Sequence, residues 1–202
     1  EALAAHRPAA VLNTAAFHNM PRCEEDPART FAVNAVGALN LARASSELGV
    51  RNVYYSTDYV FDGAKGEPYV ETDRPRPLNV YGASKLAGEA LVSAFVECFG
   101  LAALIFRFGN VVGPRGTHGA ALDFLNKLKR AGSELACTTA SDSAGPPGAI
   151  ELEVLGNGSQ SKPYLFVEDC VDGMLFGLDH GAEPLNVFNL APADTTNVTR
   201  IA

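Results

Sequence analysis

The chain has 202 residues, 47% of them apolar and 19% charged, with 23 acidic against 16 basic side chains and a net charge of −7. This is the composition of one globular domain or slightly more; it excludes bulk disorder, and its negative field disfavours a reader of phosphate backbones. No apolar run reaches the ~18 to 20 residues of a membrane span, and Cys23, Cys98, Cys137 and Cys170 lack the spacing of a disulfide scaffold, as in a reducing cytosol.

The first residues, Glu1 to Pro8, read as the tail of a helix feeding a strand, with no initiator Met and no basic-then-apolar leader. Residues 9–15 (AAVLNTA) form a short buried strand, followed by a loop over 16–27 rich in turn residues. Phe31, Val33, Val36, Leu39, Leu41 and Ala42 give residues 28–48 helical periodicity, and Gly49 stops that helix. Residues 51–56 (RNVYYS) are a strand by β-branched and aromatic content, and a loop with Pro, Gly and Asp runs to about Leu78. Residues 80–99 form the next helix, ended by Gly100; residues 101–108 (LAALIFRF) form a buried strand, and 109–119 a Gly/Pro-rich loop. A helix over 120–130 ends in a basic turn that suits its dipole. Strands at 153–155 and 164–167, a helix at 168–178 and a strand at 186–190 complete the pattern. Residues 197–202 stop where another element starts, so the chain reads as the middle of a longer protein.

Strands alternating with helices argue for a βαβ series and a mostly parallel sheet. Residues 136–152 (ACTTASDSAGPPGAIEL) break this rhythm, and joining Leu135 to Glu153 would give a seamless SELEVLGNG. The segment reads as an inserted, mobile surface loop; an artefact of gene-model construction and a functional lid are the other readings.

Two strand ends and two helices carry chemistry-bearing residues. Tyr81 and Lys85 stand four apart on one helix face, where an ammonium beside a phenol favours the phenolate and lowers its pKa. A phenol so tuned can exchange a proton with a sugar or alcohol hydroxyl near neutral pH, although Tyr-x-x-x-Lys also arises as an ordinary surface pair. Ser56, Thr57 and Asp58 follow a strand at the carboxyl edge, where parallel sheets bind ligands. Thr57 could bond the oxygen that Tyr81 serves. Asn13, Thr14, Ala15 and Ala16 end another strand, and their small side chains would let a flat cofactor lie against backbone. Asn34 is a polar residue in an otherwise core-facing helix.

The runs NTAAFHN, VNAVGALNLA, YYSTDYVFDG, NVYGASKLAGE and RFGNVVGPRG resemble the extended short-chain dehydrogenase/reductase family. GNGSQSKPYLFVEDCVDGM and NVFNLAP continue that resemblance over nearly everything outside residues 136–152. Within the family, the chain is most similar to the NAD-dependent sugar-nucleotide epimerase/dehydratase group. The resemblance implies an α/β fold: a Rossmann-type, mostly parallel sheet with helices on both faces, plus part of a small C-terminal substrate domain. It assigns residues 1–115 to the NAD-binding domain and 116–202 to a mixed segment of substrate-domain and returning Rossmann elements. No Gly-x-x-Gly-x-x-Gly loop is present, so the first βα units, the pyrophosphate cradle and the ribose-reading residue that separates NAD from NADP are expected outside this chain.

By the same resemblance, Tyr81 exchanges the proton, Lys85 supports it and holds the nicotinamide ribose, and Thr57 donates to the reacting oxygen. Thr14, Ala15, Ala16, Phe17, Asn34 and Phe108 line the cofactor, NAD. Asn110 touches the diphosphate side of a nucleotide-sugar substrate. Lys162 stands where many relatives carry a phosphate-reading Arg, without that residue's bidentate fork, or is a solvated loop lysine. Asp169 reads as a helix-start residue. No metal, nucleic acid or membrane is implied, and the expected location is the cytoplasm. The resemblance also implies a homodimer through helices 28–48 and 80–99.

Three reactions of the group compete. A 4,6-dehydratase would carry Asp-Glu after the threonine, whereas Asp58 is followed here by Tyr59. A dTDP-4-dehydrorhamnose-type keto-sugar reductase shares STDYVFDG, but a Trp-containing segment usually follows its later strand, whereas Arg107 is followed here by Phe108-Gly109-Asn110. With the epimerase-like GNGSQSKPYLFVEDC stretch, this favours a UDP-glucose 4-epimerase-like enzyme that oxidises C4 transiently and returns the hydride to the other face. A non-catalytic fragment or dimerisation scaffold is the reading from a different class, since these residues alone lack the pyrophosphate cradle.

Overall fold

The computed structural model describes residues 2–117, 119–138 and 157–201, with only the backbone described over 133–138. The strand expected at 153–155 and residues 139–152 of the expected inserted loop lie outside the described residues.

Helix α1 (Ala2–His6) leads into strand β1 (Ala10–Asn13), and α2 (Met20–Glu25) follows within the stretch expected to be loop. Local chemistry accounts for α2: Asn19 accepts the N–H of Arg22 at its start, and Pro21 stands in the first turn, where it costs no hydrogen bond. Helix α3 (Pro27–Phe31) is capped by Asp26 and passes through a π-helical turn (Ala32–Val36) into α4 (Gly37–Leu48), which Gly49 ends at φ 65°. The helix expected over 28–48 is therefore continuous but carries a bulge in its middle.

Strand β2 (Arg51–Thr57) turns through a 3-10 segment (Asp58–Val60), and a long loop returns to α5 (Val80–Phe99). Asn79 caps α5 by accepting the N–H of Gly82 at 2.7 Å, Glu24 accepts the N–H of Val80 at 2.8 Å, and Gly100 closes the helix at φ 67°. Then come β3 (Ala103–Phe108), β4 (Asn110–Val112) and α6 (Ala120–Thr138). Helix α6 outruns its expected end at Arg130 and takes in residues 136–138 of the expected loop. Strands β5 (Ser161–Lys162) and β6 (Tyr164–Phe166), helix α7 (Val167–His180), strands β7 (Leu185–Leu190) and β8 (Thr196–Asn197) and helix α8 (Val198–Ile201) complete the described chain.

The residues fall into two compact units. The first, residues 1–109 and 168–191, holds a four-stranded, all-parallel sheet in the order β1-β2-β3-β7. The period-2 alternation of β2 turns Tyr54 towards α5, where its ring packs among Ala38, Ala42, Val92, Val96 and Ile105. Phe106, on the opposite face of β3, meets α7 at Gly177, where an added Cβ would lie 2.9 Å from its ring. Helices thus cover both faces of this sheet, as the α/β alternation implied. The second unit, residues 110–167 and 192–202, contains the parallel pair β4-β6 and the antiparallel pair β5-β8. No helix among the described residues is long and apolar enough to cross a membrane.

Candidate active site

Parallel pairing brings the carboxyl ends of β1, β2 and β3 to one edge of the first unit, with Thr57 in register with Phe108. Thr57 is buried at that edge, and its hydroxyl accepts the N–H of Tyr59 at 3.2 Å, which caps the 3-10 turn. The same hydroxyl bonds the phenol of Tyr81 and lies 3.2 Å from a carboxylate oxygen of Asp58. The turn therefore fixes Thr57 against Tyr81, from the first turn of a helix that lies beyond the whole 58–79 loop. Gly82 makes this approach possible, because a Cβ there would sit 2.2 Å from the carbonyl oxygen of Tyr59.

Lys85 lies one turn further along α5, only 2% exposed, with its ammonium 4.6 Å above the ring of Tyr54. Burial lowers its pKa to about 8 against the raising effect of Glu89. Burial also pushes the Tyr81 phenol up to about 12, with the Thr57 bond pulling down and Asp58, Cys23 and Tyr59 pushing up. A lysine-lowered phenol was expected from the Tyr-x-x-x-Lys spacing. The structure corrects that electrostatic expectation: desolvation dominates, and the ammonium faces the Tyr54 ring.

Asn34 sits in the π-helical turn, 1% exposed. Its amide accepts the N–H of Phe17 at 2.8 Å and donates to the carbonyl of Phe17 at 2.9 Å and to the Ser84 hydroxyl at 2.9 Å. Ser84 in turn donates to the carbonyl of Tyr81 at 2.7 Å. The side chain of Asn34 is thus spent on tying the loop after β1 to α5. Thr14, Ala15 and Ala16 are exposed at the end of β1, and Asn13 accepts the N–H of Ala15 at 3.2 Å. Phe17 is half-buried beneath the guanidinium of Arg29 at 5.0 Å, and Phe108 meets Tyr55 edge-on at 5.0 Å.

Asn110 and Lys162 belong to the second unit. Asn110 pairs with Tyr164 and donates its amide to the carbonyl of Pro163 at 3.2 Å, while Lys162 pairs with Thr196. Asp169 stands in the first turn of α7, as expected of a helix-start residue.

Two residues near Tyr81 were not singled out as site residues from the sequence. The ring of Tyr59 meets Tyr81 edge-on at 6.0 Å, and Cys23 is fully buried, donating its thiol to the carbonyl of Phe17 at 3.4 Å. For Tyr59 the signal was its place in the run STDY; for Cys23 no pattern marked it.

The parallel α/β sheet, with Thr57, Tyr81 and Lys85 at its carboxyl edge, has the fold of the short-chain dehydrogenase/reductase type. More particularly, the chain belongs to the RmlD substrate binding domain family, which matches residues 1–151. It is 36% identical over 146 residues to the dTDP-4-dehydrorhamnose reductase of Escherichia coli K12, covering 72% of this chain and 46% of that protein. It is 47% identical over 87 residues to that of Sinorhizobium fredii, covering 43% of this chain and 29% of that protein. The chain therefore spans less than half the length of these relatives.

Among solved structures, it is similar to the UDP-glucose 4-epimerase of Thermotoga maritima, with TM-score 0.83 and 26% identity over 99% of this chain and 60% of that one. A Pseudomonas aeruginosa protein, RMD, solved with NADPH, matches with TM-score 0.79 and 27% identity over 96% of this chain and 63% of that one. These relatives overturn the UDP-glucose 4-epimerase expectation. Sequence identity is substantially higher to proteins named dTDP-4-dehydrorhamnose reductase, and the epimerase shares the fold at lower identity. The Trp-less stretch after Arg107 and the GNGSQSKPYLFVEDC run were poorer discriminators than the shared STDYVFDG.

Proposed function

We propose that the protein carrying this chain reduces the keto group of a nucleotide-activated deoxysugar, in the manner of a dTDP-4-dehydrorhamnose reductase. The observation that carries this reading is the Thr57–Tyr81 hydrogen bond at the carboxyl edge of a parallel sheet, one helical turn from the buried Lys85. Reduction of a ketone needs a proton donor, and a phenol held neutral up to about pH 12 is in the donating form at neutral pH. A resident oxidation step would need the phenolate instead.

The residues present fit the nicotinamide end of a cofactor. The Lys85 side chain is buried at this edge with its ammonium 4.6 Å over the Tyr54 ring, a cation that suits ribose hydroxyls. Thr14, Ala15 and Ala16 leave backbone open at the neighbouring strand end. When bound, a nicotinamide cofactor supplies the hydride that reaches the carbonyl carbon. Tyr81 gives its phenolic proton to the carbonyl oxygen, Thr57 donates a hydrogen bond to that oxygen, and Lys85 stabilises the phenolate left behind. Asn34 holds Phe17 and the cofactor-facing loop in place, and Phe108 closes the edge beside β2. Asn110 and Lys162 serve the nucleotide-diphosphate part of the substrate. The relative solved with NADPH supports a nicotinamide cofactor without distinguishing NAD from NADP here.

Phe31 and Val36 on the α3–α4 helix, with Leu48 at its end and Phe99 at the end of α5, leave apolar surface exposed. This supports a homodimer through helices 28–48 and 80–99, and light scattering of the eluted protein tests it.

The reaction is tested by adding dTDP-4-dehydrorhamnose and NADPH, with NADH in parallel, and following loss of the reduced-nicotinamide absorbance. Oxidation matched by deoxysugar product supports the reading; no oxidation with either cofactor refutes it.

A further inference from the structure

The first unit buries an ion pair that the proposed chemistry does not use. Glu89 on α5 is 4% exposed and Arg107 on β3 is 7% exposed. They meet in a fork, with Nε 3.0 Å from Oε1 and Nη2 2.7 Å from Oε2. A buried pair of this kind is a poor source of net stability, because the cost of desolvating two ions rivals their attraction. Its effect is therefore to be sought in what it holds.

It holds three segments of the site. The hydroxyl of Ser56, next to Thr57 on β2, donates to Oε1 of Glu89 at 2.5 Å. Glu89 itself lies one turn beyond Lys85 on the same face of α5. Arg107 extends Nη1 to the carbonyl of Glu71 at 3.2 Å and lies 5.2 Å over the ring of Phe61, which stacks on Tyr69 at 4.3 Å. The carboxylate of Glu71 accepts the N–H of Asn189 on β7 at 2.8 Å, so the loop is fastened on both sides. This is the loop that begins with Asp58 and Tyr59 and delivers Tyr81.

We propose that Glu89 and Arg107 are positioning residues, a buried clamp that locks the Thr57 strand end, the Lys85 turn of α5 and the 58–79 loop into one reactive geometry. Its catalytic consequence rests on the reduction proposed above; its geometric consequence does not. Glu89 also faces Lys85 electrostatically and raises its pKa against burial. The other titratable or charged groups here are Tyr54 on β2, Tyr81 on α5, Arg107 beyond Glu89, and Cys23, Asp58 and Tyr59 around Tyr81.

Three variants of the protein carrying this chain test the clamp: Ser56→Ala, Glu89→Gln and the double variant Glu89→Gln/Arg107→Met. Removing one hydroxyl in Ser56→Ala spares the ion pair; kcat is expected to fall roughly tenfold with KM little changed, since small misplacements at reacting groups are costly. Glu89→Gln should lower the pH at which Lys85 titrates by nitrogen-15 NMR. The double variant removes both charges and should melt close to wild type, yet keep the low kcat and the lowered Lys85 titration. The clamp is refuted if Ser56→Ala loses thermal stability but no kcat, if the double variant recovers activity with its stability, or if Lys85 titrates unchanged in Glu89→Gln. A wild-type protein without turnover on the keto-sugar nucleotide sinks the proposed reaction instead. The Lys85 titration and amide exchange at Thr57 then decide the clamp by themselves: both moved supports it, either unmoved overturns it.

Discussion

Gly88 lies directly against the phenol oxygen of Tyr54, so that a Cβ at this position would stand 2.1 Å from it. Tyr54 uses the space to share its hydroxyl between the carbonyls of Asn34 and Lys85, each 3.2 Å away, while its ring faces the Lys85 ammonium. Gly88→Ala is therefore expected to displace the ring that supports Lys85. Over-packing of this kind costs ~1–3 kcal/mol. Denaturant unfolding should show that loss, together with a fall in turnover; unchanged stability and turnover would mean the ring yields freely.

Tyr81→Phe removes the proposed proton donor and leaves the ring. Turnover should fall by roughly 10² to 10⁴, the range general acid–base groups contribute, while cofactor binding by calorimetry stays within about twofold. Thr57→Ala should also slow turnover and, by stripping the 3-10 turn of its cap, cost ~1 kcal/mol in stability. Full activity in Tyr81→Phe would remove Tyr81 from the mechanism.

The two shifted groups act on stability in opposite directions with pH. Lys85, lowered to about 8 from 10.5, is more protonated unfolded than folded between those values, so its contribution makes stability rise as pH climbs from about 8 to 10.5. Tyr81, raised from 10.0 to about 12, keeps its proton longer in the folded state, and its contribution falls as pH climbs through that window. Urea unfolding at pH 7.5 and pH 9.5 should show a gain in wild type that Lys85→Met abolishes. In turnover, loss of the Lys85 charge should bring the rate down above about pH 8. A rate that stays flat to pH 10 would separate the ammonium from catalysis.

Asn34→Ala strips three hydrogen bonds from a buried site, leaving the N–H of Phe17 without its acceptor and its carbonyl with the Cys23 thiol as donor. Unmade buried bonds cost ~1–3 kcal/mol each, with partial relief from water, so a loss of about 2–4 kcal/mol is expected. Hydrogen exchange at Phe17 should accelerate more than exchange in β3. Uniform acceleration would mean global destabilisation only.

The framework was legible where local chemistry decides structure. Asn79 and Gly100 bound α5 as they would in any sequence, and the β-branched and aromatic runs of β2 and β3 mark buried parallel strands. The π-helical turn was not legible, because it arises from distant partners: Asn34 reaches Phe17 and Ser84, and its backbone carbonyl receives Tyr54. Thr57, Tyr81 and Lys85 could be named from spacing and family resemblance, yet their electrostatics could not. The opposing Tyr54 ring and the depth of burial, which decide the pKa of Lys85, depend on how β2 packs against α5. The short strands β4, β5 and β8 were missed for a similar reason, being defined by their pairing partners rather than by a periodic run.

Net hydride delivery to a keto-sugar carbon is read most plainly by isotope transfer. Reduced nicotinamide cofactor carrying deuterium at C4 would be incubated with the protein carrying this chain and dTDP-4-dehydrorhamnose. One deuterium at C4 of the deoxysugar product is expected for each cofactor oxidised. No deuterium in the sugar and no net cofactor oxidation, with UDP-glucose and UDP-galactose interconverted in a parallel incubation, would rule net reduction out.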